Sequence, residues 1–111
     1  MPGGKLDLRV VSPSRTVFQG EVSSLVLPAW DGRVGILPGH APYVALLGAG
    51  GLEADLEGGG RERIFVHGGV VRVEHDHVTV LSEYADSEPP EGFSLGMGLF
   101  SADELTDPSD G

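Results

Sequence analysis

Two histidines flank an aspartate in the run His75-Asp76-His77. Histidines at alternate positions of a strand share one face, a spacing found in metal sites, and Asp76 could add an oxygen ligand for a small metal-dependent enzyme. The same residues also read as a tight hairpin turn with Asp76 at its tip and both rings in solvent. His67 precedes Gly68 and Gly69, where a strand should end. His40 projects from a corner made by Pro38 and Gly39, and two roles are open to it: a hydrogen bond inside its own loop, or a polar contact to a partner. Nucleophiles are poorly provided. Cysteine is absent, so disulfides, thiolate zinc sites and cysteine catalysis are excluded. Ser12, Ser14, Ser23 and Ser24 lack the sharp strand-to-helix setting of an activated serine. No Gly-Lys-Ser or Gly-Lys-Thr closes a phosphate loop, and Gly48-Ala49-Gly50-Gly51 lacks the helix that would bind an anion.

The remaining polar chemistry gathers at two bends, and it is the chemistry of contact. Trp30, the single tryptophan, stands beside Asp31 and Gly32. A large aromatic there is either a core plug or an interface anchor. Arg33 follows; it can pair with Asp31 or reach a partner's carboxylate or carbonyl. An exposed internal pair would contribute only about 0–1 kcal/mol.

Strands must position these bends. Residues 5–11 alternate Leu6, Leu8 and Val10 with Asp7 and Arg9, the two-residue period of a half-buried strand. Pro13 ends that run. Residues 16–22, broken by Gly20, and 23–27 read as two more strands. Asp31-Gly32 can adopt the positive φ angles of a type I′ hairpin turn, and Pro38-Gly39 marks a second corner. Residues 52–57, 61–66, 70–74 and 78–81 complete the series, with glycine clusters between them. Short strands at such spacing predict a β-sandwich or barrel. No window sustains a helical period, and 18 glycines argue further against helices.

With 111 residues the chain fits one domain. Net charge is −10, and eight of the 17 acidic residues but none of the seven basic ones lie in residues 82–111. The body is close to neutral and the tail acidic, so nucleic acid is a poor partner. No apolar run approaches a membrane span and the N-terminus lacks the apolar core of a signal peptide, which makes a cytoplasmic protein the expectation. The division expected is a β-sandwich over residues 1–86 and an acidic, Gly/Pro-rich tail over 87–111. In that tail residues 93–99 alternate large apolar and small side chains; an extra edge strand and a flexible segment are both open.

Residues 8–22 (LRVVSPSRTVFQGEV), 31–47 (DGRVGILPGHAPYVALL) and 65–83 (FVHGGVVRVEHDHVTVLSE) resemble the N-terminal domain of the epsilon subunit of F-type ATP synthases, in order, spacing and glycine placement. The resemblance implies an all-β, two-layer sandwich of about ten short, mostly antiparallel strands. It implies a non-catalytic place in the central stalk, the rotor of a proton-translocating enzyme, between the gamma subunit and the c-ring. It further implies attachment to the cytoplasmic face of a bacterial inner membrane through the complex, with no cofactor, metal or small-molecule substrate. By position, Trp30, Asp31, Gly32, Arg33, Pro38, Gly39 and His40 would face the ring. The family often carries an acid where Arg33 stands, so the local charge is reversed. The family's C-terminal pair of helices finds no counterpart in the Pro- and Gly-containing tail, so neither hairpin-type inhibition nor an ATP site is expected. A free-standing sandwich that binds a peptide or glycan is the alternative.

Overall fold

A computed structural model describes residues 4–88. All its regular structure is strand: β1 (Leu6–Val11), β2 (Thr16–Ala29), β3 (Gly32–Ile36), β4 (Tyr43–Leu46), β5 (Ala49–Leu56), β6 (Arg61–Glu74) and β7 (His77–Asp86). Hydrogen bonding follows the order β1-β7-β6-β5-β2-β3, β4 joins β6, and β1 also pairs with β2. The β1–β2 pairing closes a ring of five strands and leaves β3 and β4 as edges. All pairings are antiparallel except β1 with β7.

Seven strands serve where about ten short ones were expected, because long strands belong to both layers. β2 and β6 each run for 14 residues. The first part of β2 pairs with β1, and its second part with β5 and β3; a bulge between Val22 and Ser24 separates them. The boundary expected between residues 22 and 23 falls at this bulge, while the break expected at Gly20 is not seen, since Gly20 pairs regularly with Leu8; the extra residue is Ser23, whose hydroxyl donates to the Asp55 carbonyl at 3.1 Å. A bulge bends a strand and raises its twist, which carries β2 from one layer to the other. β6 changes layers at Gly68-Gly69: residues before them pair with β5, residues after them with β4. β7 accompanies β6 throughout. One layer therefore holds β3, the second part of β2, β5 and the first part of β6. The other holds the first part of β2, β1, the first part of β7, the second part of β6, and β4.

Between the layers lies an apolar core. Leu6, Leu8, Val10, Val22, Leu27, Ile36, Leu52, Ala54, Val71 and Val80 are all fully buried. They come from alternate positions, as a pleated strand demands. Burying each large side chain contributes roughly 1.5–3 kcal/mol. Leu6, Leu8 and Val10 in β1 match the sequence reading residue for residue, since that strand buries every second side chain. β7 does not end at residue 81 as expected. Its alternation continues through Ser82, a polar residue in a core position and 5% exposed.

Ser82 is placed there to satisfy the bend in β6. Its hydroxyl accepts from the His67 amide at 3.1 Å and the Tyr84 amide at 3.3 Å. Its own proton faces the carbonyls of Tyr84 at 2.6 Å, Gly68 at 3.0 Å and His67 at 3.3 Å. Beside it Gly69 has φ +104, and a Cβ there would stand 1.9 Å from the Leu81 carbonyl oxygen. Gly69→Ala is therefore expected to cost more than about 3 kcal/mol, through strain and collision together. Ser82→Ala should cost about 1–3 kcal/mol by stranding buried amides and carbonyls. Urea unfolding of both variants checks the order.

Candidate interaction surface

The seven contact residues picked from sequence lie along one side of the sandwich, where β3 and β4 are edges of opposite layers. Trp30 and Asp31 form the loop between β2 and β3; Pro38, Gly39 and His40 belong to the connection from β3 to β4. β3 separates the two groups by about 13 Å at ~3.3 Å per residue. They are therefore two ends of a strip, with β4 lying along it.

The first end departs from expectation in its turn chemistry. Ala29 pairs with Gly32, so the two-residue loop is Trp30-Asp31, not Asp31-Gly32. Asp31 keeps a negative φ; the positive angle, 137°, falls on Gly32, the first residue of β3. The type I′ signature is met elsewhere, at His75 (φ 52°) and Asp76 (φ 63°), between the paired Glu74 and His77. Histidine and aspartate tolerate this left-handed region better than most residues. Trp30 is 68% exposed, which rules out the core plug. Its amide donates to the Leu46 carbonyl at 2.9 Å, tying the turn to the end of β4. Arg33 does not pair with Asp31. Its Nη2 donates to the Gly51 carbonyl at 2.9 Å.

At the other end the corner is held by the turn just described. The Gly39 amide donates to the Asp76 carboxylate at 2.8 Å, and the Asp7 amide to the Asp76 carbonyl at 2.8 Å. Gly39 has φ +87, open to glycine without strain. His40 takes the local role: Nδ1 lies 2.7 Å from the Ala41 carbonyl, and the ring meets Tyr43 edge-on at 5.7 Å. His75 and His77 are exposed, each beside one carboxylate, Glu74 at 3.8 Å and Asp7 at 3.2 Å. Among the described residues no three His, Cys, Asp or Glu side chains gather to hold a metal. His67 sits inside β6 rather than at a strand end.

Sequence reasoning missed the strip between the ends. β4 is only four residues long, too short for alternation to single it out. Val44 is 70% and Leu46 61% exposed. Leu46, Val70, Leu81 and Val11 are successive partners across β4, β6, β7 and β1. They form an apolar row on the outer face of that layer. Val44, Arg72, Thr79 and Arg9 make the adjacent, more polar row. The outer face of the opposite layer is charged: Arg61 binds Asp55 at 3.0 Å, and Arg63 binds Glu53 at 3.5 Å. A hydrogen bond from Ser24, then Arg61, holds the Asp55 carboxyl below its ordinary value. One face is suited to apolar burial and the other to solvent.

The described residues thus define a closed β-sandwich with one outer face apolar and the other charged. The chain belongs to the ATP synthase delta/epsilon family: the model of that family's beta-sandwich domain matches residues 5–88. It is 44% identical over 80 residues to the ATP synthase epsilon chain of Parvibaculum lavamentivorans, covering 72% of this chain and 61% of that one. The epsilon chain of Wolinella succinogenes is 36% identical over 107 residues, covering 92% and 82%. The chain thus spans about three fifths of the Parvibaculum relative's length. Among solved structures, a chain in the Euglena gracilis mitochondrial ATP synthase OSCP/F1/c-ring assembly superposes with TM-score 0.70 at 25% identity, covering 74% of this chain and 52% of that one. A chain of the Tetrahymena thermophila mitochondrial ATP synthase central stalk and c-ring shares the fold, with TM-score 0.62 at 14% identity and coverage of 83% and 75%. The expected extra strand at residues 93–99 lies outside the described residues.

Asp76→Gly removes the carboxylate that holds the corner and keeps the backbone angle. Exchange of the Gly39 amide should accelerate by about tenfold, with global stability changed by less than about 1 kcal/mol. Hydrogen exchange followed by NMR reads both.

Proposed function

We propose that the chain is a non-catalytic subunit of the central stalk, part of the rotor of a proton-translocating F-type ATP synthase, linking the gamma subunit to the c-ring. It would work on the cytoplasmic face of a bacterial inner membrane, attached through the complex and using no cofactor. The observation that carries this reading is the apolar row Leu46, Val70 and Leu81, exposed at Leu46 and Leu81 and half-buried at Val70, and continued by the exposed Val44 and Trp30, on a fold of this family. Water-facing apolar side chains in register across three strands are what a permanent partner covers. We assign that face to gamma. The ring is assigned to the side, through Trp30, Asp31, Gly32 and Arg33 at one end and Pro38, Gly39 and His40 at the other.

The mechanism is mechanical. Torque passes without slip only if the coupling piece resists deformation. Here the five-strand ring has no free edge of its own, and its core is close-packed. The corner is braced by Asp76 and the turn by the Trp30–Leu46 hydrogen bond. Both ends of the strip are thus fixed to the body before a partner arrives, which lowers the ordering cost of docking.

Leu46→Asp combined with Leu81→Asp should leave the fold intact and weaken capture of gamma by at least about tenfold, since charges would be buried without partners. Co-purification with gamma tests this; undiminished capture rejects the gamma face. Arg33→Ala with His40→Ala should leave gamma binding unchanged but loosen the ring, seen as reduced ATP-driven proton pumping in reconstituted enzyme. Unaltered pumping counts against the side surface.

A further inference from the structure

We propose that residues 93–99 of this chain lie across the apolar row Leu46, Val70, Leu81 and Val11 and cap it until a partner displaces them. The capping stands on this face alone; its effect on partner binding deepens the gamma reading above and rests on it. The row lies at the end of a path that starts where the described chain stops. Ser12, Pro13, Ser14, Arg15, Tyr84 and Asp86 line a cleft of ≈ 250 Å³ at the end of β7. A second cleft, of ≈ 290 Å³, shares Ser12, Pro13 and Glu83 with the first and continues to Val11 and Leu81. The Tyr84 hydroxyl donates to the Glu88 carbonyl at 2.6 Å. Glu88 is thus tied to a residue at the head of the path.

The sequence beyond that point fits the row in length, pattern and charge. An extended chain from Glu88 to Phe93 reaches about 17 Å, at ~3.4 Å per residue. That equals the length of β7 from Asp86 back to Leu81. Residues 93–99 can then reach a further ~20 Å, and the row crosses four strands spaced ~4.8 Å apart, about 14 Å in all. Phe93, Leu95, Met97 and Leu99 would share one face of an extended segment, with Ser94, Gly96 and Gly98 on the other. Bulk on one side and almost none on the other suits a segment lying flat on a sheet with its back to water. Charge favours the same seat. Glu91 precedes the apolar residues, Asp103 and Glu104 follow them, and no Lys or Arg occurs in residues 89–111. Exposed Arg9 and Arg72 stand in the row beside the apolar one, on either side of Thr79. Arg72 is shared with Glu74 at 2.6 Å. Arg9 enters none of the ion pairs among the described residues. A capped row binds gamma only in the fraction of chains whose cap has lifted, and the apparent affinity falls by that fraction.

The test uses the full chain with labelled Leu and Val methyl groups and one nitroxide. The sequence has no cysteine, so Ser94→Cys carries the nitroxide alone. NMR should show the methyl signals of Leu81, Val70 and Leu46 broadened, and those of Val26, on the opposite outer face, left sharp. Adding Phe93→Ser and Leu95→Ser, which keep the net charge, should abolish the broadening. The chain carrying only these two serine changes should bind gamma about five- to tenfold more tightly than the native chain does. Spin-labelled chain mixed with separately methyl-labelled chain should show no broadening; broadening there makes the occupant a second copy and overturns the proposal. Sharp Leu81, Val70 and Leu46 signals in the spin-labelled chain overturn it too, and capture of gamma by the native chain then leaves the stalk reading standing. If those signals broaden but gamma binds native chain and serine variant equally, the cap stands and its control of gamma falls. If they broaden and gamma is not captured at all, the cap stands and the gamma reading fails.

Discussion

The close approach of Gly69 to the Leu81 carbonyl is the constraint on which the rest of the molecule depends. β6 and β7 run side by side through both layers, and they can turn the corner together only if one backbone passes where a side chain would otherwise be. Glycine provides the room and the positive φ; Ser82 supplies hydrogen-bond partners for the amides and carbonyls the bend exposes. Such buried polar networks stabilise only when every member is satisfied. Without this corner, β6 would remain in one layer, β4 would lose the strand it pairs with among the described residues, and the outer apolar row would not exist.

A division of labour follows between the faces. The layer built on β1, β7 and β4 turns Leu46, Val70 and Leu81 outward in one line. The layer built on β5 and the first part of β6 turns outward arginines and carboxylates in pairs. Exposed pairs contribute little to stability, but they keep that face hydrated. At the boundary stands Arg33, which belongs to the charged layer and lies beside the exposed tryptophan.

Strand patterning was legible wherever one face meets the core and the other meets water. β1 obeys the alternation at every position, and the Pro38-Gly39 corner and the His75-Asp76 connection were visible from turn chemistry alone. Three features were not. β2 and β6 read as broken strands, because glycine signals a break in sequence whether the chain stops or only bends. β4 is too short to show a period, and its exposed valine and leucine resemble core residues until their neighbours are known. The Asp31-Gly32 turn was displaced by one residue, since pairing of Ala29 with Gly32 draws the glycine into the strand. All seven residues expected to face the ring came from one segment of sequence, Trp30 to His40.

The single parallel pairing, β1 with β7, also bears on how the chain acquires its form. Asp7 lies opposite His77, and Val11 opposite Leu81, so the two ends of the domain are neighbours at the moment of closure. Pairings of such sequence separation are slow to form, because a long loop must be ordered before it is rewarded. During synthesis at the ribosome, β1 can pair early with β2 but must wait for almost the whole domain to emerge before its other edge is covered. Nascent chains shorter than this therefore carry an uncovered strand edge, a point at which a chaperone would have something to hold.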